Sequence, residues 1–382
     1  MKERGVVKIV IIVIASLFAA VLAVRAKFGG GERMPDRTGA PDLPGSALET
    51  VVDLDYPPGN IAVSPTGRVF FTLHPDGDPP TKVHELVGGQ PVPYPNERWQ
   101  HAAEDIPYFQ SILSLRIDAQ QRLWVLDFAE FGRGQPRLTA FDLESGALVH
   151  HYDFPRAVAG LGSMLNDMQV SPDGERIFIA ETSPIVHHPA IIVYDVARKN
   201  SRRLLDRHPS VMPERYLIQA PGRDMRVYDL VTLRIGVDSI ALDKRGEWLY
   251  YGPVTGGTLY RVRTSDLADE TLTARELGER VERFADKTLS DGLTMDLQDN
   301  VYLSDMEHSA VLVVAPDRGL RTLIKDERLR WPDGFSFGPD GWLYVTCSAL
   351  QHVLFVGEHR VRAHAPYQIF RFKPGPAGVP GH

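Results

Sequence analysis

Residues 168–181 read MQVSPDGERIFIAE: a short apolar run, a turn at Pro172-Asp173-Gly174, then a second, aromatic-bearing run. Two such runs around a tight turn predict a β-hairpin. The phrase recurs as IAVSPTGRVFFT (61–72), SLRIDAQQRLWVLD (114–127), IALDKRGEWLYYG (240–252), LTMDLQDNVYLSD (293–305) and FSFGPDGWLYVT (335–346). Six hairpins spaced by about 40 to 70 residues are the mark of a radial repeat, because one sheet alone cannot bury both of its faces. The prediction is an all-β, six-bladed β-propeller, with function at its central channel.

Four strands can be assigned to each of blades one to five. In blade four the outer one is a polar stretch near TARELGE. After the final run YQIFRFKP, blade six has no fourth strand of its own. LETVVDLDY, near residue 50, is the candidate to complete it, closing the ring and removing a sheet edge. The expected organisation is 1–26 a signal peptide or membrane anchor, 27–47 a flexible linker, 48–375 the propeller and 376–382 a C-terminal tail.

The leader carries Lys2, Arg4 and Lys8 ahead of an uncharged apolar run, Ile9 to Val24, and Val24-Arg25-Ala26 is a usable cleavage site. Export follows, to a periplasmic or secreted location; cleavage and anchorage both remain open. Any membrane contact is expected through this segment alone. The chain has 42 basic and 49 acidic residues, a net charge of −7, and no basic cluster, so a nucleic-acid partner is not expected. Cys347 is the single cysteine, which excludes an internal disulfide and reads as a small buried hydrophobe. No catalytic-serine elbow, P-loop or dinucleotide fingerprint is present.

The candidate chemistry lies at the starts of the innermost strands. Asn166, Asp238, Asp291 and Asp333 recur there in one register, with Asn60 offset by one in blade one and Leu113-Ser114 in blade two. These side chains converge on one mouth of the channel. Three carboxylates and an amide repel unless a cation or shared protons neutralise them. Oxygen-only donors suit a hard cation, Ca²⁺ before Mg²⁺ or Zn²⁺, with Asn166, Asp238 and Asp291 as its ligands. Each Asp-Gly taken alone is also an ordinary turn element. A second set, Asp127, Glu181 and Asp305, ends the second strands at the same rim, with His308 beside it. Asp305 and Asp291 are the acid/base candidates; Asn60, Asp127, Glu181, Asp333 and His308 are the candidates to line a ligand pocket. Insertions at Trp99–Gln110 and His208–Gly236 read either as lids over that rim or as packing.

The runs GNIAVSPTGRVFFTLHP, LNDMQVSPDGERIFIAETS, LLDRHPSV and IALDKRGEWLYYGPVTGGTLYRVRTSDL closely resemble the major royal jelly and yellow protein family. The likeness extends from about Leu48 to Pro374. It is to bacterial members that carry a dopachrome tautomerase-related label. The resemblance implies a six-bladed, exported propeller with a pocket at the channel mouth. Some insect members bind small aromatic amines and others are tied to pigment chemistry. More distantly the blades are similar to the gluconolactonase and regucalcin superfamily. There a first-blade Glu, middle-blade Asn residues and an Asp hold a divalent cation that polarises a lactone carbonyl while a carboxylate activates water. Asn166 matches a middle Asn, Asp238 replaces the second, and Asp291 matches the Asp. Gly59 and Asn60 stand where the first-blade Glu would be. Three readings follow: a binding protein for a small, aromatic-type molecule, a Ca²⁺-dependent lactone or ester hydrolase, and a tautomerase-like isomerase.

Overall fold

The computed structural model describes residues 2–102 and 107–382, with side chains from residue 11 onward. Six four-stranded antiparallel sheets form the blades of a propeller. Their innermost strands are Pro58–Val63, Ile112–Ile117, Leu165–Val170, Val237–Leu242, Leu293–Met295 and Pro332–Phe337. The ring closes as expected: Glu49–Leu54 pairs antiparallel with Tyr367–Phe372 as the outer strand of blade six.

The recurring phrase makes hairpins because its turns carry their own acceptors. Asp118 accepts from the backbone N–H of Gln120 and Arg122, Asp243 from Glu247 and Trp248, and Asp296 from Gln298 and Asn300. Such side chains satisfy turn N–H groups that the ladder leaves free. Six apolar clusters fill the six gaps between neighbouring blades. Trp124 and Leu126 of blade two, for example, pack with Met168, Ile177 and Ile179 of blade three. Tyr302 and Val313 of blade five pack with Phe335, Phe337 and Val345 of blade six.

Three stretches differ from expectation. TARELGE is not a strand: Ala274–Glu279 is a helical turn closed by a capping box between Thr273 and Glu276, and the outer strand of blade four is Glu282–Asp286. The stretch 27–47, read as a flexible tether from its Gly, Pro and Asp content, lies along the ring. Glu32 bridges to Tyr216, Met34 is buried, and Leu43 N–H donates to the Leu323 carbonyl on the outer strand of blade five. Arg37 reaches Asp286 at 3.0 Å. Composition reported the missing periodicity but not these single-residue anchors. Finally, 376–382 is not a free tail. It bridges Asp296 through Gly378 and Phe337 through Pro380, and His382 Nδ1 lies 2.8 Å from Gln169 Oε1, at the channel end opposite the Asp-bearing mouth.

Before the ring, Lys2–Phe28 is one helix, and its Ile11–Phe28 window is long and apolar enough to cross a membrane, with a mean hydropathy of 2.2. The insertion at Trp99–Gln110 falls partly outside the described residues, at 103–106. Its flanks pack Trp99 on Phe109 and Phe141, with ring centroids 5.2 and 4.9 Å apart.

Candidate functional site

Five innermost strands share one irregularity that builds the site. Pairing with the second strand slips near the mouth, between Pro58 and Ile61, Ile112 and Ser114, Leu165 and Met168, Val237 and Ile240, and Pro332 and Phe335. A bulge re-aims side chains and frees N–H groups from the ladder. Second-strand hydroxyls take some of these: Thr72 Oγ1 accepts from Asn60, and Thr346 Oγ1 from Gly334. In blade five the inner strand begins only at Leu293, and Ser304 Oγ takes the N–H groups of Asp291 and Gly292. At Gly292 any Cβ would overlap the Asp333 carbonyl, so the glycine is demanded by close approach of the neighbouring blade.

The released side chains meet at the mouth. Asn60, Asn166, Asp238, Asp291 and Asp333 line one cavity of about 130 Å³. Its upper walls are apolar: Leu113, Phe131 and Met164 on one side, Leu354 and Phe355 on the other. Leu233 and Ile235 add to them, so the insertion at His208–Gly236, folded as two short hairpins, forms part of the wall. His74 and Asp76 also line the cavity; burial pushes the His74 imidazole down from its ordinary range.

Below the cavity is a charge-paired polar layer that sequence reading missed, in which, among the described residues, only Arg116 Nε has no hydrogen-bond partner. Arg116, 1% exposed, holds both oxygens of Asp167 at 2.9 and 3.1 Å. Asp167 Oδ1 also accepts from Ser114 Oγ at 3.0 Å and Asn60 Nδ2 at 3.1 Å. The available signal was Arg116 itself, the one charged residue of the innermost strand Ile112–Ile117, and Asp167 directly after Asn166.

The mouth carboxylates are not satisfied in this way. Among the described residues no Arg, Lys or His nitrogen lies within 4 Å of Asp238, Asp291 or Asp333. Asn166 Nδ2 donates to Asp238 Oδ1, and Trp331 Nε1 donates to Asp291 Oδ2 at 2.5 Å. Burial, and then repulsion from Asp291 and Asp333, holds the Asp238 carboxyl well above the usual carboxylate range. Burial and the Asp291 charge do the same to Asp333. Asp291 is raised by burial, and the Trp331 hydrogen bond opposes the shift.

The second expected set does not join them. Asp127 accepts from the N–H groups of Gln110, Ser111 and Ala129. Burial, opposed by those hydrogen bonds, still leaves its carboxyl pushed up to about 6. Glu181 pairs with Arg203. Asp305 accepts from the N–H groups of Glu307 and His308 and from His308 Nδ1, which raises the imidazole above its ordinary value. These four residues fasten loops rather than line the cavity.

Known proteins give this ring a lineage. The family model for major royal jelly protein matches residues 110–336, more than half of the chain. The chain belongs to the major royal jelly protein family. Major royal jelly protein 7 of Apis mellifera is 28% identical over 183 residues, 45% of this chain and 39% of that relative. A yellow-related salivary protein of Phlebotomus duboscqi is 29% identical over 45% of this chain and 47% of its own length. The chain thus spans less than half the length of either relative. Regucalcin of Agrobacterium tumefaciens, a calcium-binding protein, shares the fold with a TM-score of 0.57 at 15% identity, covering 90% of this chain and 98% of that one. A gluconolactonase of Xanthomonas campestris has a TM-score of 0.52 at 13% identity, over 85% of this chain and 88% of that one.

For a divalent cation the donor set has the right chemistry, oxygen only. Its arrangement is another matter: among the described residues no group of three or more His, Cys, Asp and Glu side chains is gathered so as to hold one ion. The first-blade position expected to supply a Glu is Gly59-Asn60, and Arg116 donates to the Asn60 side-chain oxygen.

Proposed function

We propose that this protein binds a small organic cation, an amine on an apolar, ring-sized body, at the channel mouth. The observation that carries the reading is three neighbouring carboxylates, Asp238 and Asp291 buried and Asp333 half-buried, under a cavity with apolar walls. Among the described residues no cation lies within 4 Å of them, and only the more distant Lys287 charge acts on Asp291. A positively charged ammonium beside Asp238, Asp291 and Asp333 would stabilise their ionised forms, while Leu113, Phe131, Leu233 and Leu354 take the body. The volume bounds the size: a cavity of about 150 Å³ holds one benzene ring. The apolar N-terminal helix supports export or anchorage.

Because binding a cation favours ionised carboxylates, it should release protons. The test is calorimetry with phenethylamine in two buffers of different ionisation enthalpy. Saturable binding with proton release, absent for the uncharged isostere 2-phenylethanol, supports the reading. Equal binding of both, or neither, overturns it.

A second reading, Ca²⁺ at Asn166, Asp238 and Asp291 serving lactone or ester hydrolysis, rests on the oxygen-only donor set. A Ca²⁺-dependent, chelator-sensitive rise in melting temperature, without an amine effect, would replace the first reading with this one. Nothing in the geometry favours the isomerase reading.

A further inference from the structure

Outside the N-terminal helix, the three most exposed large apolar side chains among the described residues are Leu161 at 75%, Tyr228 at 74% and Ile185 at 60%. All three sit at the rim of the same cavity. Tyr228 packs against Phe355, a cavity wall, with ring centroids 5.9 Å apart. Ile185 follows Pro184, another wall residue. Gly162, next to Leu161, donates its N–H to the carbonyl of the wall residue Phe131. Val186 and Val231 extend the exposed set. Isolated apolar residues on a surface are ordinary; a ring of them around one opening marks an interaction face.

The position of the helix identifies the occupant. It ends at Phe28, and the next two residues are tied to the hairpin that bears Tyr228 and Val231. Arg226 Nε donates to the Gly29 carbonyl at 2.8 Å and Thr232 Oγ1 to the Gly30 carbonyl at 3.0 Å. There is no slack between the apolar window and the cavity rim. At about 1.5 Å per residue the 18-residue window measures roughly 27 Å, close to the hydrocarbon thickness of a bilayer. Arg25, Lys27 and Arg33 lie exposed at this end, where anionic headgroups would meet them.

We propose that the cavity-bearing face docks on a lipid bilayer: the N-terminal helix spans it, and the rim formed by Leu161, Ile185, Tyr228 and Phe355 sinks into its interface. The cavity then opens at the lipid–water boundary, and its ligand enters from there. Nothing in this assignment depends on what the cavity binds, and the test uses no ligand.

The full chain is reconstituted into nanodiscs of phosphatidylcholine with a quarter phosphatidylglycerol. A single environment-sensitive fluorophore is placed by Tyr228→Cys, Ile185→Cys or Val149→Cys. Cys347 is fully buried and is the only native thiol, and all three replaced side chains are exposed, which keeps the fold intact. Val149 lies on the outer strand of blade two, away from the rim. Doxyl-labelled lipid should quench the probes at 228 and 185 roughly twofold or more beyond the probe at 149. Equal quenching at all three positions, whether weak or strong, overturns the proposal.

Discussion

Two sets of carboxylates stand one strand apart in this ring, and they are opposites. Asp127, Glu181 and Asp305 end second strands and are consumed by local partners: three backbone N–H groups, Arg203, and His308 with two N–H groups. Asp238, Asp291 and Asp333 begin inner strands, are a little less deeply placed, and have each other, the Asn166 amide, the Trp331 indole and the Ser348 hydroxyl, with the buried Lys287 acting on Asp291 only from beyond ion-pair distance. Residue type does not separate the sets, and the small difference in depth would make the mouth set the easier to ionise; what separates them is an N–H or a cation within bonding distance. A carboxylate whose hydrogen bonds are made within the fold stabilises that fold. One held beside its like-charged neighbours raises the free energy of the empty site, and a cation can recover it.

Substitutions can break that contrast. The largest effect is expected from Arg116→Ala, which leaves the buried Asp167 without its cationic partner. A loss of about 3–5 kcal/mol is expected from urea unfolding. Replacing both partners, as Arg116→Met with Asp167→Leu, should recover most of it. Asp127→Ala strips the acceptor from three N–H groups and should cost roughly 2–3 kcal/mol by the same assay.

At the mouth the sign reverses. Asp238→Asn removes a like charge and should raise stability at pH 7 by about 1 kcal/mol, while weakening phenethylamine roughly tenfold or more in calorimetry. A mutant that loses stability there would place Asp238 with the fastened set.

The pH dependence sharpens the same point. A carboxyl whose folded pKa is raised contributes stability that is complete below the ordinary carboxylate value and is lost as pH rises through the folded value. For Asp238 the difference in melting temperature between wild type and Asp238→Asn should therefore be near zero at about pH 4. It should widen upward, with wild type the less stable. The smallest effect belongs to the fastened set. Asp305→Asn should lower the His308 pKa, followed by proton NMR, and leave amine binding unchanged.

Much of this was legible in the chain. The period-two runs and the turns between them placed all six blades, and the unpaired run near residue 50 pointed to closure by an N-terminal strand, because both signals are local or follow from a missing edge partner. The recurring Asn and Asp at inner-strand starts indicated five residues that meet at one cavity. TARELGE was misread because polarity without a period was taken for an outer strand, although Thr273 and Glu276 carried the capping signal. The segment 27–47 was misread because a chain tied down by isolated anchors has no periodicity to detect.

What the sequence determined by itself is the repeat, the strands and the register in which acidic residues point inward, since each is set by neighbours a few residues apart. Only the tertiary structure decided which acids are spent and which are left facing each other. It also decided that Arg116 lies beneath Asp167, and that the helix ends at the apolar rim. Those relations join residues 40 to 200 positions apart in the chain. Blade packing brings them together, and no local pattern encodes the distance between two blades.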